Sequence, residues 1–234
     1  YNIGCVPCQV GSCLLKDIVG IHNLEENDER DLLTRILQVV YPRRDVVLPK
    51  MSRPVKSKGN ARYSPPIKLL VDEHIWIKRL LALIPAILEA TDIATPKGKQ
   101  LILDCVDFVR SYADKFHHAK EEDILFKLFD EKMDIIQVML QDHVAGRNHI
   151  ATAVTALEEK NTKGVAEGLE GYRSLLVEHI KREDEVLYPW IDRNLSMKQV
   201  GELQTRFQDV EKEMGSTAEK RAQNLVETLE GSYK

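Results

Sequence analysis

The stretch "KFHHAKEEDILF", residues 115–126, places two adjacent histidines and two adjacent glutamates inside an amphipathic helical pattern. Successive residues of an α-helix turn by about 100°, so residues three or four positions apart share a face. On this geometry His117 and Glu121 share one face. The apolar residues of that face are Leu103, Val106, Ala113, Ile124 and Leu128. His118 and Glu122 fall on a mixed face, so we expect them to flank the core.

The same pattern recurs on three further helical segments, each with one histidine on its apolar face. Glu183 follows His179 by four residues, as Glu121 follows His117. A buried carboxylate without a partner is costly or becomes protonated, so two inward glutamates require a shared positive charge. We therefore predict a metal pair bridged by the two glutamates, with histidines as terminal ligands. The predicted ligands are His74, His117, Glu121, His143, His179 and Glu183.

Imidazole and carboxylate ligands suit Fe, Mn or Zn, and four-helix bundles with inward His and Glu are known to hold dinuclear iron. The residues by themselves leave these three metals open. A set of buried histidines without any metal, in a bundle that serves only protein interactions, is the alternative.

Helix start signals organise the chain from Ser64 onward. Ser64 precedes two prolines, Thr95 precedes Pro96, and Ser196 with Gln199 fits a capping box. The predicted helices cover residues 64–90, 95–129, 130–160 and 163–193, with a fifth from Ser196 onward. Long helices with short connections predict an all-α fold, an up-down-up-down four-helix bundle. Pro85 is expected to kink the first of these helices.

The sequence as a whole suggests four regions. They are a Cys-containing N-terminal subdomain (1–50), a Pro-rich and basic linker (51–63), the bundle (64–194) and a C-terminal helix (195–234). The N-terminal region contains a predicted helix, "ENDERDLLTRILQVV". The C-terminal helix carries an apolar stripe from Val200 to Met214. We favour packing of this stripe on the bundle over a homodimer contact.

Composition excludes several classes of function. The 234 residues carry a net charge of −4, so no footprint for nucleic acid or for an anionic membrane is visible. No apolar run reaches membrane-spanning length, and no secretory leader pattern is visible. The chain begins at Tyr1 rather than at a methionine, and we allow for residues upstream of it. Four cysteines are too few for a disulfide framework, so we expect a reducing, cytoplasmic compartment.

Three of the cysteines crowd the N-terminus. Cys5 and Cys8 form a C-x-x-C pair, and Cys13 with His22 would complete a tetrahedral zinc site. An iron–sulfur site with a ligand from upstream residues, or a thiol–disulfide pair, are the other uses of these residues. Three unligated cysteines remain an equal alternative. We assign Cys105 to the helical core.

Four segments of the bundle together resemble the hemerythrin-like (HHE cation-binding) family. They are "VDEHIWIKRLL", "FHHAKEEDILF", "LQDHVAGRNHI" and "VEHIKREDEVLYPWID", within residues 64–194. The resemblance implies a four-helix bundle with a non-haem di-iron centre that binds O2 or NO for sensing, storage or detoxification. The H–HxxxE–H–HxxxE series of this sequence is most similar to that of the iron-centre repair proteins.

Two departures from the oxygen-carrying members matter. Those proteins have HxxxH on the third helix, whereas Arg147 follows His143 by four residues here and His149 is rotated away. They also carry a carboxylate five residues after the last histidine, where Asp184 stands, although Glu183 is better aligned. The alternatives to gas binding are therefore an enzyme that reduces NO or peroxide with a redox partner protein, and an iron-sensing or iron-repair module.

Overall fold

The computed structural model of the chain describes residues 26–41 and 63–233. The chain divides into two units between Arg62 and Tyr63. In the first unit the described residues form helix α1, Glu26–Val40, which confirms the helix predicted there. Outside the described residues lie Cys5, Cys8, Cys13, His22 and all but the last residue of the predicted linker.

The second unit contains the four long helices that the sequence predicts. Their regular α-helical parts are α2 (Pro65–Ala90), α3 (Pro96–Phe108), α4 (Asp134–Glu158) and α5 (Thr162–Arg182). Helix α3 continues as π-helix through Val109–His118 and Glu121–Leu125 and ends in a 3-10 turn, Phe126–Leu128. Helix α5 continues as π-helix through Glu183–Leu187 and then as α6, Tyr188–Asn194. The all-α prediction is confirmed, although α4 begins at Asp134 rather than at Asp130.

The helix starts follow the predicted signals. The Thr95 side chain accepts a hydrogen bond from the backbone N–H of Gly98, at 3.0 Å. Ser196 and Gln199 form the reciprocal capping box at the start of the C-terminal part. Ser64 precedes α2, but its hydroxyl donates to Asp192 instead of capping the helix. Helix α2 runs on through Pro85 to Ala90, and the kink expected there stays a prediction.

The four helices pack as a ring in chain order. Each one contacts the next, and α5 closes the ring by packing against α2. This is the neighbour relation of an up-down-up-down bundle. Helices α4 and α5 approach closely at Gly168, where an added Cβ would lie only 2.7 Å from the Cβ of Ala153.

The C-terminal part folds back on one side of the bundle. It consists of α7 (Met197–Val210), a π-helical turn (Glu211–Gly215) and α8 (Ser216–Tyr233), where the sequence predicts one helix. Helices α7 and α8 both contact α2, and α8 also contacts α3 and its π-helical continuation. Leu203 and Phe207 of the apolar stripe are buried, so this stripe packs on the bundle as we favoured. Arg79 of α2 fixes α8 through a two-point ion pair with Glu230.

The core consists of two apolar clusters at opposite ends of the bundle. One surrounds Ile84, Phe116 and Ile150, and the other surrounds Leu70, Met139 and Tyr188. Cys105 lies in the first, buried as predicted. Among residues 26–41 and 63–233, no helix combines the length and the apolar character needed to cross a membrane.

Candidate metal centre

A layer of polar side chains separates the two apolar clusters. Its members are Glu73, His74, His117, His118, Lys120, Glu121, His143, His179 and Glu183. These nine are the buried polar or charged residues of the part of the chain that the structure describes. We call them the polar layer. All four helices of the ring contribute to it, because each carries a histidine on its inner face.

Four histidines of the layer are oriented by carboxylates through Nδ1. The pairs are His74 with Asp184 (2.7 Å), His117 with Glu73 (2.8 Å), His143 with Glu122 (2.7 Å) and His179 with Asp142 (3.2 Å). An ionised carboxylate only accepts, so each Nδ1–H donates, and in the neutral imidazole Nε2 keeps a lone pair. Such outer carboxylates are the usual partners of histidines that bind metals.

The free Nε2 atoms meet in two pairs. Nε2 of His74 lies 2.9 Å from Nε2 of His117, and Nε2 of His143 lies 3.1 Å from Nε2 of His179. Two lone pairs that face each other repel unless a proton or a metal ion lies between them. Two nitrogens bound to one cation at about 2.1 Å and at right angles are about 3 Å apart. The spacing of both pairs therefore fits a metal ion.

Two glutamates reach these nitrogen pairs. The Oε1 atom of Glu183 lies 3.2 Å from Nε2 of His179, and its Oε2 atom lies 3.3 Å from Nε2 of His74. Glu121 points its Oε2 atom at His143 and His117, at 3.5 and 3.8 Å from their Nε2 atoms. None of these three carboxylate oxygens has a hydrogen-bond donor. Glu183 therefore spans both histidine pairs with two free oxygens, and Glu121 does so with one.

The other oxygen of Glu121 is already bound. The hydroxyl of Tyr188 donates to Oε1 of Glu121 at 2.6 Å, and the Tyr188 ring stacks on His74 with a centroid distance of 5.5 Å. The sequence analysis did not identify Tyr188, because nothing in a single helix shows which side chain of another helix it meets.

The carboxylates and imidazoles of the layer shift each other's pKa. Burial and the charge of Glu183 raise the pKa of Glu121 well above its usual value. Burial acts to raise the pKa of Glu183, but the charges of His179 and His74 outweigh it, and that pKa falls well below its usual value. Burial acts to lower the pKa of His179, but Glu183 and Asp142 raise it to about 9. Without a metal, these shifts favour a proton on Glu121 and on His179, and a bound cation would take the place of such protons.

Comparison with known protein families identifies the family of this chain. A model of the hemerythrin HHE cation-binding domain matches residues 65–191, more than half of the chain. The chain belongs to the hemerythrin HHE family. Comparison with curated proteins and with solved structures gives no match. All six predicted ligands lie inside the matched range, whereas α7 and α8 lie beyond it.

The structure differs from the sequence-based prediction mainly in the placement of His118. We expected it to flank the core, but it is buried at 4 % exposure and its ring stacks on His143 at 3.9 Å. The donor atoms of this residue group with those of Glu121, His143 and His179, whereas His74, His117 and Glu183 form a second group. The expectation was wrong because a π-helix turns by less per residue than an α-helix, so neighbouring residues both face inward.

Four cations hold the outer carboxylates of the HHE domain. Each one comes from the same helix as the histidine that its carboxylate orients, three or four residues further along. The pairs are Lys78 with Asp184, Lys120 with Glu73, Arg147 with Glu122 and Arg182 with Asp142. Arg147 also binds Asp114, in addition to Glu122. His149 is half-buried and lies outside the polar layer.

A cavity of about 190 Å³ adjoins the layer. His118 and His143 form part of its wall, and so does the partly exposed Arg147. Tyr172 is buried and also lines the cavity, and its hydroxyl has no hydrogen-bond partner. The cavity therefore offers a small molecule a polar contact next to the imidazoles.

Proposed function

We propose that this chain is a non-haem di-iron hemerythrin-like protein that binds O2 or NO. The observation that carries the proposal is the pair of facing Nε2 couples, joined by three glutamate oxygens without donors. Family membership supports binding of a cation, and imidazole with carboxylate is a donor set suited to iron. Two separate nitrogen couples favour two ions over one.

The two iron positions would differ in their ligands. His74 and His117 would hold one ion, and His143, His179 and His118 would hold the other, with Glu183 and Glu121 between them. The first position has one imidazole fewer, which favours it as the open position for a diatomic ligand. Reduced iron would supply the electrons and the vacant coordination site that O2 or NO requires. The residues of the chain orient the imidazoles and exclude water.

The proposed site would have one more histidine ligand than the four predicted from the sequence. A resemblance to the iron-centre repair proteins was inferred from four histidines and two glutamates, and His118 would supply a fifth imidazole. That closer resemblance therefore stays a prediction, and the added imidazole makes the site more similar in its donor set to a carrier.

Anaerobic loading with Fe²⁺ tests the proposal. We expect about two irons per chain by metal analysis, and a visible spectrum that changes on exposure to O2 and, in a separate sample, to NO. A fully helical protein that binds no iron under these conditions would refute the di-iron centre. Iron bound without any spectral response to either gas would refute gas binding alone.

The same experiment separates the alternatives. Reversible oxygenation favours carriage or sensing, and continued consumption of NO or peroxide with a reductant favours an enzyme. An iron-sensing role is favoured by one specific observation, the three buried glutamate oxygens without hydrogen-bond donors, because metal binding that satisfies them would be coupled to folding. Loss of helicity on chelation, followed by circular dichroism, would support that role.

The remaining predictions concern parts of the protein away from the layer. We propose that Cys5, Cys8, Cys13 and His22 hold zinc or an iron–sulfur cluster, or exchange electrons with a redox partner protein. Regions 1–50, 51–63, 64–194 and 195–234 are proposed as the domain organisation. A reducing, cytoplasmic location stays a prediction that fractionation would test, and size-exclusion chromatography would test the homodimer, which was the alternative.

A further inference from the structure

Lys120 is a charged side chain with no exposure to solvent. Its side chain is 0 % exposed, and its Nζ atom donates to Glu73 and, at 3.0 Å, to Glu211. The ammonium group also lies 3.7 Å from the ring centroid of Phe116 and 5.9 Å from that of Phe207. Burying an ammonium group carries a large desolvation cost unless partners surround it. The two carboxylates and two aromatic rings surround the ammonium group of Lys120 in this way.

One of the two carboxylates connects Lys120 to the polar layer. Glu73 binds Lys120 through Oε1 and accepts the Nδ1–H of His117 through Oε2. Lys120 therefore acts on His117 through a single shared carboxylate. The cations in the three equivalent positions, Lys78, Arg147 and Arg182, have side chains that are 41–48 % exposed, where water can replace them.

The other partners of Lys120 come from the C-terminal part of the chain. Phe207 belongs to α7, and Glu211 begins the π-helical turn that follows it. Both residues lie beyond the range that matches the family, residues 65–191. The enclosure of Lys120 therefore depends on helices that the family domain does not include.

We propose that Lys120 is a positioning residue of the metal centre, which holds His117 through Glu73 and makes the C-terminal helices part of the site through Glu211. The inference rests on the proposed di-iron function. It predicts an asymmetric effect, because His117 belongs to only one of the two histidine pairs. Disturbing Lys120 weakens iron held by His74 and His117 and spares iron held by His143 and His179.

The test replaces Lys120 by methionine, which keeps the length of the side chain and removes its charge. The full-length variant is loaded anaerobically with Fe²⁺, and release of iron to an excess of chelator is followed. We expect one of the two irons to leave about 10- to 100-fold faster than from the unmodified chain, since outer partners of metal ligands have effects of this size. Lys127→Met is the matched control, because Lys127 is an exposed lysine nearby that pairs with Glu131.

A second readout separates positioning from a purely structural role. Melting temperatures are measured with and without iron, and their difference reports the stabilisation that metal binding adds. A positioning role reduces this difference in Lys120→Met, whereas a purely structural role lowers both temperatures equally. Equal lowering, or unchanged release of iron, would overturn the inference.

Glu211→Gln tests the C-terminal half of the inference with a milder change. The amide keeps the shape of the side chain and removes its charge, so we expect faster release of the same iron, by less than in Lys120→Met. Release at the unmodified rate would overturn the role of the C-terminal helices. If the unmodified chain binds no iron, the di-iron proposal and this inference are both overturned. If the unmodified chain binds two irons and the variants release iron at its rate, this inference alone is overturned.

Discussion

The two halves of the bundle, α2 with α3 and α4 with α5, carry the same arrangement of residues. Each half has a lone histidine preceded by an acidic residue, then a histidine followed four residues later by glutamate and a second acidic residue. In both halves that glutamate begins a π-helical turn, Glu121–Leu125 or Glu183–Leu187. An aromatic ring five residues after it stacks on the lone histidine of a neighbouring helix: Phe126 on His143 and Tyr188 on His74.

Three of the differences between equivalent positions would make the two proposed iron positions unequal. His118 corresponds to Ile180, so only one half supplies a second imidazole. Tyr188 corresponds to Phe126, so only Glu121 receives a hydroxyl. Lys120 corresponds to Arg182, so only one cation is buried. A symmetric scaffold thus supports an asymmetric site, because single side chains rather than helices differ.

The largest expected difference between the halves concerns their glutamates. Glu183→Ala removes two free oxygens that span both histidine pairs, and we expect it to abolish dinuclear loading. Glu121→Ala removes one free oxygen and should also prevent loading with two irons, but with more residual binding. Metal analysis after anaerobic Fe²⁺ loading measures both. Glu185→Ala, an exposed glutamate in the same turn as Glu183, is the control, and two irons in Glu183→Ala would contradict the bridging role.

His118 and Ile180 occupy equivalent positions in the two halves. His118→Leu makes both of these positions apolar. We expect iron at the His143 and His179 position to be released at least about 10-fold faster to a chelator, since even outer partners of ligands have effects of that order. His149→Leu on α4 serves as a control outside the polar layer. Unchanged release from His118→Leu would mean that this imidazole packs beside the metal without binding it.

Tyr188→Phe removes the hydroxyl that distinguishes Glu121 from Glu183. Leaving a buried acceptor without its donor costs about 1–3 kcal/mol, and we expect a loss of this order in the free energy of unfolding of the metal-free protein. Urea denaturation measures it. Tyr112→Phe is a matched control, because Tyr112 is buried and its hydroxyl has no partner. Equal stability of the two variants would show that the Tyr188 contact does not matter.

The smallest effects are expected from the exposed cations. Lys78→Met and Arg182→Met remove ion pairs that water and salt screen, and such surface pairs contribute about 0.2–1 kcal/mol. Melting curves at low and high salt should therefore differ little from those of the unmodified chain. An effect as large as that of Lys120→Met would show that burial does not distinguish the fourth cation from the other three.

Much of the inner face of the bundle could be predicted from helical spacing. The geometry brings together all six predicted ligands, since residues on one apolar stripe must face the same core. His118 could not be predicted in this way, because its direction depends on π-helical winding that only the packed helix adopts. The adjacent histidines His117 and His118, followed by Glu121 and Glu122, were the sequence signal that both histidines could face inward.

The outer contacts were beyond the reach of any single helix. Glu73 and Asp142 each stand directly before a lone histidine in the sequence, yet each orients the histidine of the next helix in the ring. Only the relative rotation of two packed helices decides which carboxylate meets which imidazole. Four basic residues each follow a histidine by three or four positions. This spacing can be interpreted only once the pairs of carboxylate and imidazole are known.

The sequence by itself determined the all-α fold, the helix starts and the inward histidines and glutamates, because these follow from local capping and from the period of a single helix. The tertiary structure decided which imidazoles face each other, which carboxylate orients each of them, and that Lys120 is sealed by Phe207 and Glu211. Those features depend on distances between helices far apart in the chain, and no local rule of spacing contains them.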